Sequence, residues 1–199
     1  SNDYRLITLS GKDGLSQQDV ECILQDKQGF IWIGTYDGLN RYDGNSFLLF
    51  RHNPQNTNSI SDNRILSLQE WPERDELWIG TDGGGLNCYN LKTECITRYM
   101  ADLKNKGQLT DNQISCFDKN GDEMWIGTTN GPHKITFTPD NKIHIEHYSL
   151  KGNAEENILQ YTVSIGHDDN GNIIAATPKG LFLKNKSERD FKLVKKMSD

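Results

Sequence analysis

Trp32-Ile33-Gly34-Thr35 recurs as Trp78-Ile79-Gly80-Thr81 and as Trp125-Ile126-Gly127-Thr128, and a decayed copy reads Ile174-Ala175-Ala176-Thr177. The copies begin at positions 32, 78, 125 and 174, a spacing of 46, 47 and 49 residues. Self-similarity at such a period belongs to chains built by stacking one supersecondary unit. Neighbouring columns keep the register. Upstream, Leu15-Ser16 matches Ile60-Ser61 and Leu109-Thr110, and five positions on come Val20, Ile65 and Ile114, aligned with Val163. Downstream, Asp37-Gly38-Leu39-Asn40-Arg41-Tyr42 matches Asp82 to Tyr89, with extra glycine, then Asn130-Gly131 and Lys179-Gly180-Leu181.

Each unit reads as four short strands. In the first, residues 19–25 alternate Val20, Cys22 and Leu24 onto one face, and Asp26-Lys27-Gln28-Gly29 turns into a β-rich stretch at 30–35. Tyr36-Asp37-Gly38 leads into 39–42, and Asp43-Gly44-Asn45 into 47–51. Helical periodicity is absent. The pattern predicts an all-β fold, a β-propeller of about four four-stranded blades forming a fragment of a larger propeller. The blades fall at approximately 14–51, 59–100, 108–148 and 157–195. Residues 4–8 alternate like an outer strand and read as the strand that closes a ring. Ser1-Asn2, with no methionine, reads as a tag scar ahead of residues 3–199. The repeated tryptophans are expected between adjacent blades, with each glycine giving room to a bulky neighbour. Val20, Ile65, Ile114 and Val163 are expected at equivalent places on the four innermost strands, followed by a ring of Cys22, Ser67, Cys116 and Ile165.

The chain has 199 residues and a formal charge of -6. That balance argues against coating nucleic acid or an anionic membrane, and no apolar run nears the roughly 18 residues of a membrane helix. Of the four cysteines, none has CxxC spacing. Cys22 and Cys116, a blade apart, are expected as free buried thiols. Cys88 and Cys95 are expected to face each other across a two-residue turn at 91–92.

No catalytic constellation emerges. His52, His133, His144, His147 and His167 are scattered over several units, and no Gly-x-Ser-x-Gly elbow exists. His144 and His147 point to opposite sides of a strand. The runs at 118–122 and 168–172 are similar to calcium loops but occupy the place of the 26–29 turn, so they read as hairpin turns. No metal, no cofactor and no catalytic residue is assigned. The ligand-binding candidates lie where the second-to-third turns share a face with the fourth-to-first connections: Tyr36, Asp37, His52, Asp82, Asn130 and Lys179. Tyr36, the one aromatic in those turns, suits stacking on a sugar ring.

Gly14-Leu15-Ser16, then residues 25–35 and 37–44, together resemble the two-component regulator propeller repeat. The resemblance covers roughly residues 4 to 195; the third copy departs at Pro132, and the fourth has lost its tryptophan and glycine. It implies the periplasmic, extracytoplasmic sensor of a hybrid two-component histidine kinase and response regulator, as in gut Bacteroides, sensing an oligo- or polysaccharide. This segment would then be a non-enzymatic fragment whose partners are the remaining propeller blades and an oligosaccharide ligand. A protein-interaction scaffold is the alternative, and a propeller lactonase or glycosidase a weaker one. Uncovered blade flanks predict self-association of the fragment, as two arcs in a pseudo-ring, with residues 4–8 engaging the partner chain.

Overall fold

Aspartate sets the first turn of the first and fourth units. Asp26 Oδ1 accepts from the N–H of Gln28 at 2.9 Å and of Phe30 at 3.0 Å, and Oδ2 accepts the Trp32 indole N–H at 2.8 Å. One carboxylate therefore ties turn, strand and core together. Asp168 repeats the backbone part, taking N–H groups from Asn170 and Asn172 at 2.9 Å each. Asp118 does not. It lies within a strand, and a tighter turn at Gly121-Asp122 follows.

The computed structural model describes residues 6–105, 107–151 and 160–196. Blade 1 contains β1 (Val20–Gln25), β2 (Ile31–Thr35), β3 (Gly38–Tyr42) and β4 (Phe47–Phe50). Blade 2 contains β5 (Ile65–Trp71), β6 (Glu76–Thr81), β7 (Leu86–Asn90) and β8 (Ile96–Tyr99). Blade 3 contains β9 (Ile114–Asn120), β10 (Glu123–Thr128), β11 (His133–Phe137) and β12 (Ile143–His147). These three sheets are antiparallel meanders in sequence order. After the two-residue β13 (Leu150–Lys151), blade 4 follows with β14 (Ser164–His167), β15 (Ile173–Thr177), β16 (Gly180–Lys184) and β17 (Phe191–Lys196). Its sheet has five strands in the order β13-β17-β16-β15-β14, because β13 pairs in parallel with β17.

The innermost strands β1, β5, β9 and β14 pack side by side in that order. Between blades sit the repeated tryptophans, Trp32 and Trp78 fully buried and Trp125 1% exposed. Trp32 meets Tyr89 of blade 2 edge-on at 5.6 Å, Trp78 meets Phe137 of blade 3 at 6.3 Å, and Trp125 meets Phe191 of blade 4 at 5.9 Å. Each thus bridges to the next blade, as its column predicts. The glycine of the motif makes the room. A Cβ on Gly80 would stand 2.7 Å from the carbonyl oxygen and 2.9 Å from the Cβ of Ile114, the first residue of the next inner strand.

That contact corrects the fourth column. Gly34 meets Ile65 and Gly80 meets Ile114, but Gly127 meets Thr162, not Val163. Thr162 is buried and Val163 is 40% exposed. The next ring shifts likewise: Cys22, Ser67 and Cys116 oppose Gly34, Gly80 and Gly127, whereas Ser164, not Ile165, opposes Ala176. A bulge early in β1, β5 and β9 keeps the columns of blades 1 to 3 aligned, and the lost tryptophan and glycine hid the one-residue offset in the fourth.

Two further expectations change. Cys88 opposes Thr97, and Asn90 opposes Cys95, because the turn runs through Glu94 in the left-handed conformation (φ 58°) rather than closing at two residues. Both thiols are free, Cys88 buried and Cys95 exposed. Cys22 and Cys116 are free as well, and only partly exposed. Of the expected closing strand at 4–8, residues 4 and 5 lie outside the described residues; 6–8 form no strand, with Leu6 94% exposed.

Candidate functional site

The last residue of each Trp-Ile-Gly-Thr motif shapes the turn that follows it. Thr35, Thr81, Thr128 and Thr177 donate their hydroxyls to the carbonyls of Gly38, Gly85, Gly131 and Gly180 at 2.7 to 3.2 Å. A second latch joins each turn to the connection entering the same blade. Ser16 N–H donates to Asn40 Oδ1 at 3.0 Å while Asn40 Nδ2 returns a bond to Ser16 Oγ at 2.8 Å, and Ser61 with Asn87 repeats both distances.

In blade 3 the asparagine is replaced by His133. Its Nε2 accepts the Thr110 N–H at 3.2 Å, so Nδ1 carries the proton and donates to the Gly131 carbonyl at 3.2 Å. Full burial, and secondarily the His147 ring 4.8 Å away, push the His133 pKa down to about 3. The imidazole is held neutral as a structural acceptor.

On the turns so fixed, polar side chains of blades 1 to 3 converge on Arg64. Its guanidinium lies 4.2 Å from the centroid of the Tyr36 ring and donates to Tyr36 Oη at 3.1 Å. The same group pairs with Asp82 at 2.9 Å and with Glu21 at 3.3 Å. Gln113 Nε2 donates to the other Asp82 oxygen at 2.6 Å. Burial works against the Arg64 charge; the bond to Glu21 and the fields of Asp82, Tyr36 and Glu21 outweigh it and raise its pKa. The surface is a ring of donors and acceptors with a half-exposed aromatic at its edge.

Of the six candidates, Tyr36 and Asp82 meet through Arg64. Asp37 turns instead to Arg51, at 2.7 Å. His52 is half-buried, its Nδ1 on the Ile60 carbonyl at 2.8 Å. Asn130 donates to Thr110 Oγ1 at 2.9 Å and accepts from His147 Nε2 at 2.6 Å on its carbonyl. Lys179 is exposed on the blade 4 turn, its N–H donating to Thr177 Oγ1 at 3.2 Å. Glu21, Arg64 and Gln113 were absent from the candidates. A signal existed: Arg64 and Gln113 each stand immediately before the aligned Ile65 and Ile114, in one column.

Residues 14–37 match the two component regulator propeller model. That part of the first blade is similar to a two-component regulator propeller repeat. Over 49 residues the chain is 55% identical to histidine kinase P4 of Formosa agariphila, a match covering 25% of this chain and 4% of that kinase. The fold as a whole is similar to the extracellular domain of a B. thetaiotaomicron protein described as a hybrid two component system. There the TM-score is 0.83 at 25% identity, covering 95% of this chain and 26% of the other. Virginiamycin B lyase from Staphylococcus aureus shares the fold alone, at 16% identity and a TM-score of 0.61 over 88% of this chain and 56% of that one. The chain therefore spans about a quarter or less of the regulator and kinase relatives it matches. No helix of the described residues is long and apolar enough to cross a membrane.

Proposed function

We propose that this chain is a section of the periplasmic sensor propeller of a hybrid two-component system, and that it binds its ligand without transforming it. The observation that carries the reading is one repeat of the regulator family embedded in a fold that follows a regulator extracellular domain over 95% of the chain. The surface supports the non-catalytic part. Glu21 and Asp82 are both committed to Arg64, which disfavours the free acid and base that glycoside hydrolysis requires.

The ligand class we assign is an oligo- or polysaccharide. Hydroxyl-rich ligands suit a platform where one aromatic edge adjoins fixed carboxylate, guanidinium and carboxamide groups. Arg64 covers one side of Tyr36 and leaves the ring 45% exposed. Titrating an oligosaccharide panel into the chain, with Tyr36→Ala and Asp82→Asn beside it, tests this. Saturable binding lost in both variants supports the assignment; binding unchanged in both removes this surface from it. Turnover of any glycoside or lactone in the panel defeats the non-enzymatic reading.

The flanks support self-association. Val20 and Ile23 on blade 1 are 47% and 68% exposed, and Ile174 and Leu181 on blade 4 are 39% and 36% exposed. Sedimentation of the chain should show a dimer, and a monomer at high concentration would defeat this part.

A further inference from the structure

At the opposite end of the strands from Tyr36 and Asp82, blades 3 and 4 enclose a cavity of about 280 Å³. Its wall includes Lys134, Lys184 and Lys186, with Asn120 at the rim and Trp125 and Glu123 beneath. Lys184 is the unexpected member. Cross-strand register places it opposite Ile173, as Tyr42 stands opposite Ile31, Tyr89 opposite Leu77 and Ile135 opposite Met124. Tyr89 and Ile135, 2% and 0% exposed, fill that place with core side chains. Blade 4 puts a cation there.

Among the described residues the lysine has no ion partner. Its residue is 8% exposed, and its Nζ lies 5.9 Å from the Trp125 ring, where Tyr89 lies against Trp32. Of the nearby carboxylates, Glu188 pairs with Lys192 at 2.9 Å through Oε1 and leaves its buried Oε2 without a hydrogen-bond partner, while Glu123 and Glu146 are engaged elsewhere. Glu123 accepts the Trp125 indole N–H at 3.1 Å and faces Lys134 at 3.7 Å. Glu146 accepts the Tyr148 hydroxyl at 2.8 Å and Lys134 at 3.3 Å. Lys184 keeps a 3.4 Å contact with the Asn185 carbonyl. Burial, then the like charge of Lys134, lowers its pKa, against the fields of Glu123, Glu146 and Glu188. A buried ammonium without an ion pair costs stability that an apolar residue in that column would not. The Lys186 chain crosses Gly171 at the rim, its Cδ 3.3 Å from where a Cβ would stand, and adds a third ammonium at the mouth.

We propose that this inter-blade cavity is a binding site for a compact oxyanion, the carboxylate or sulfate group of a ligand, with Lys184 as its buried counter-ion. An anion there completes a charge-assisted pair for Lys184. The site is independent of the surface around Arg64.

Sulfate and acetate serve as probes, against chloride at matched ionic strength. Sulfate stabilises most proteins by exclusion from their surface, so the decisive quantity is the difference between the chain and Lys184→Met. Saturable binding of sulfate, acetate or both is expected, weakened at least tenfold by Lys184→Met and unchanged by Lys142→Met, which alters an exposed lysine paired with Asp140. An equal sulfate response in wild type and Lys184→Met overturns the proposal. Should Lys184→Met not fold, the side-chain NMR signal of Lys184 in the unaltered chain decides. A saturable shift with either anion supports the site, and no shift with both overturns it.

Discussion

Blades 2 and 4 have the same strand order in their common four strands and the same threonine-pinned turn, yet their motif residues live in different surroundings. In blade 2, Trp78 is fully buried and Gly80 lies under Ile114 of the following blade. In blade 4, Ile174 holds the tryptophan's place at 39% exposure and Ala176 the glycine's, with no described blade beyond them. The motif is therefore a property of the joint between two blades, not of one sheet. Threonine, whose partner lies within its own blade, persists in all four copies; tryptophan and glycine, whose partners lie across the joint, do not.

The largest test of that contrast is truncation. Trp78→Ala should destabilise by about 3–5 kcal/mol, as buried aromatics do, whereas Ile174→Ala should cost below about 1 kcal/mol. Urea unfolding measures both, and equal costs would break the contrast.

The second test compares the latch of blade 2 with that of blade 3. The unfolded chain protonates His133 near 6.5 and the folded chain only near 3. The unfolded state thus binds the extra proton between those values. The His133 contribution is whole above about pH 6.5 and is lost, by several kcal/mol, as pH falls toward 3. His133→Asn, which restores the residue of blades 1 and 2, should flatten that segment of the stability profile. An unchanged slope would place the titration elsewhere.

Next in size is the glycine. Gly80→Ala should cost about 1–3 kcal/mol by overpacking, and Ala176→Gly about 0.5–1 kcal/mol through backbone freedom alone. The smallest effect is chemical. Burial lifts the Cys22 thiol to about 12 and the Cys116 thiol to about 11, and raises Cys88 further, while Cys95 is exposed. At pH 8 an alkylating reagent should label Cys95 alone in the folded chain, read by intact mass. Labelling of Cys22 at the same rate would mean that the joint between blades 1 and 2 opens freely.

The fold was legible because the side chains that make the joints are the ones that repeat. Trp32, Trp78 and Trp125 and their glycines announce both the period and the packing. What was not legible depends on backbone detail that composition does not encode. Glu94 in the left-handed conformation lengthens a turn and moves Cys95 from Cys88 to Asn90. The fourth inner strand is offset by one residue, exchanging Val163 for Thr162, where no glycine or tryptophan remained to fix the count. At the candidate site, Tyr36 and Asp82 were visible as turn residues. Arg64, which gathers them, was not, because an arginine before a strand carries no chemistry until the fold brings Asp82 of its own blade and Glu21 of the neighbouring blade to it.

The parallel pairing of Leu150-Lys151 with Phe191-Lys192 has a mechanical consequence. An outermost strand of a blade is ordinarily held by one ladder and peels from its free side. Here β17 is clamped between two, and the second belongs to chain that leaves blade 3. Tension applied after Lys196 would have to break both ladders together, and part of the load would pass directly to the preceding blade. The last two blades should yield as one mechanical unit, while blades 1 and 2, whose outer strands each have a single neighbour among the described residues, unzip separately.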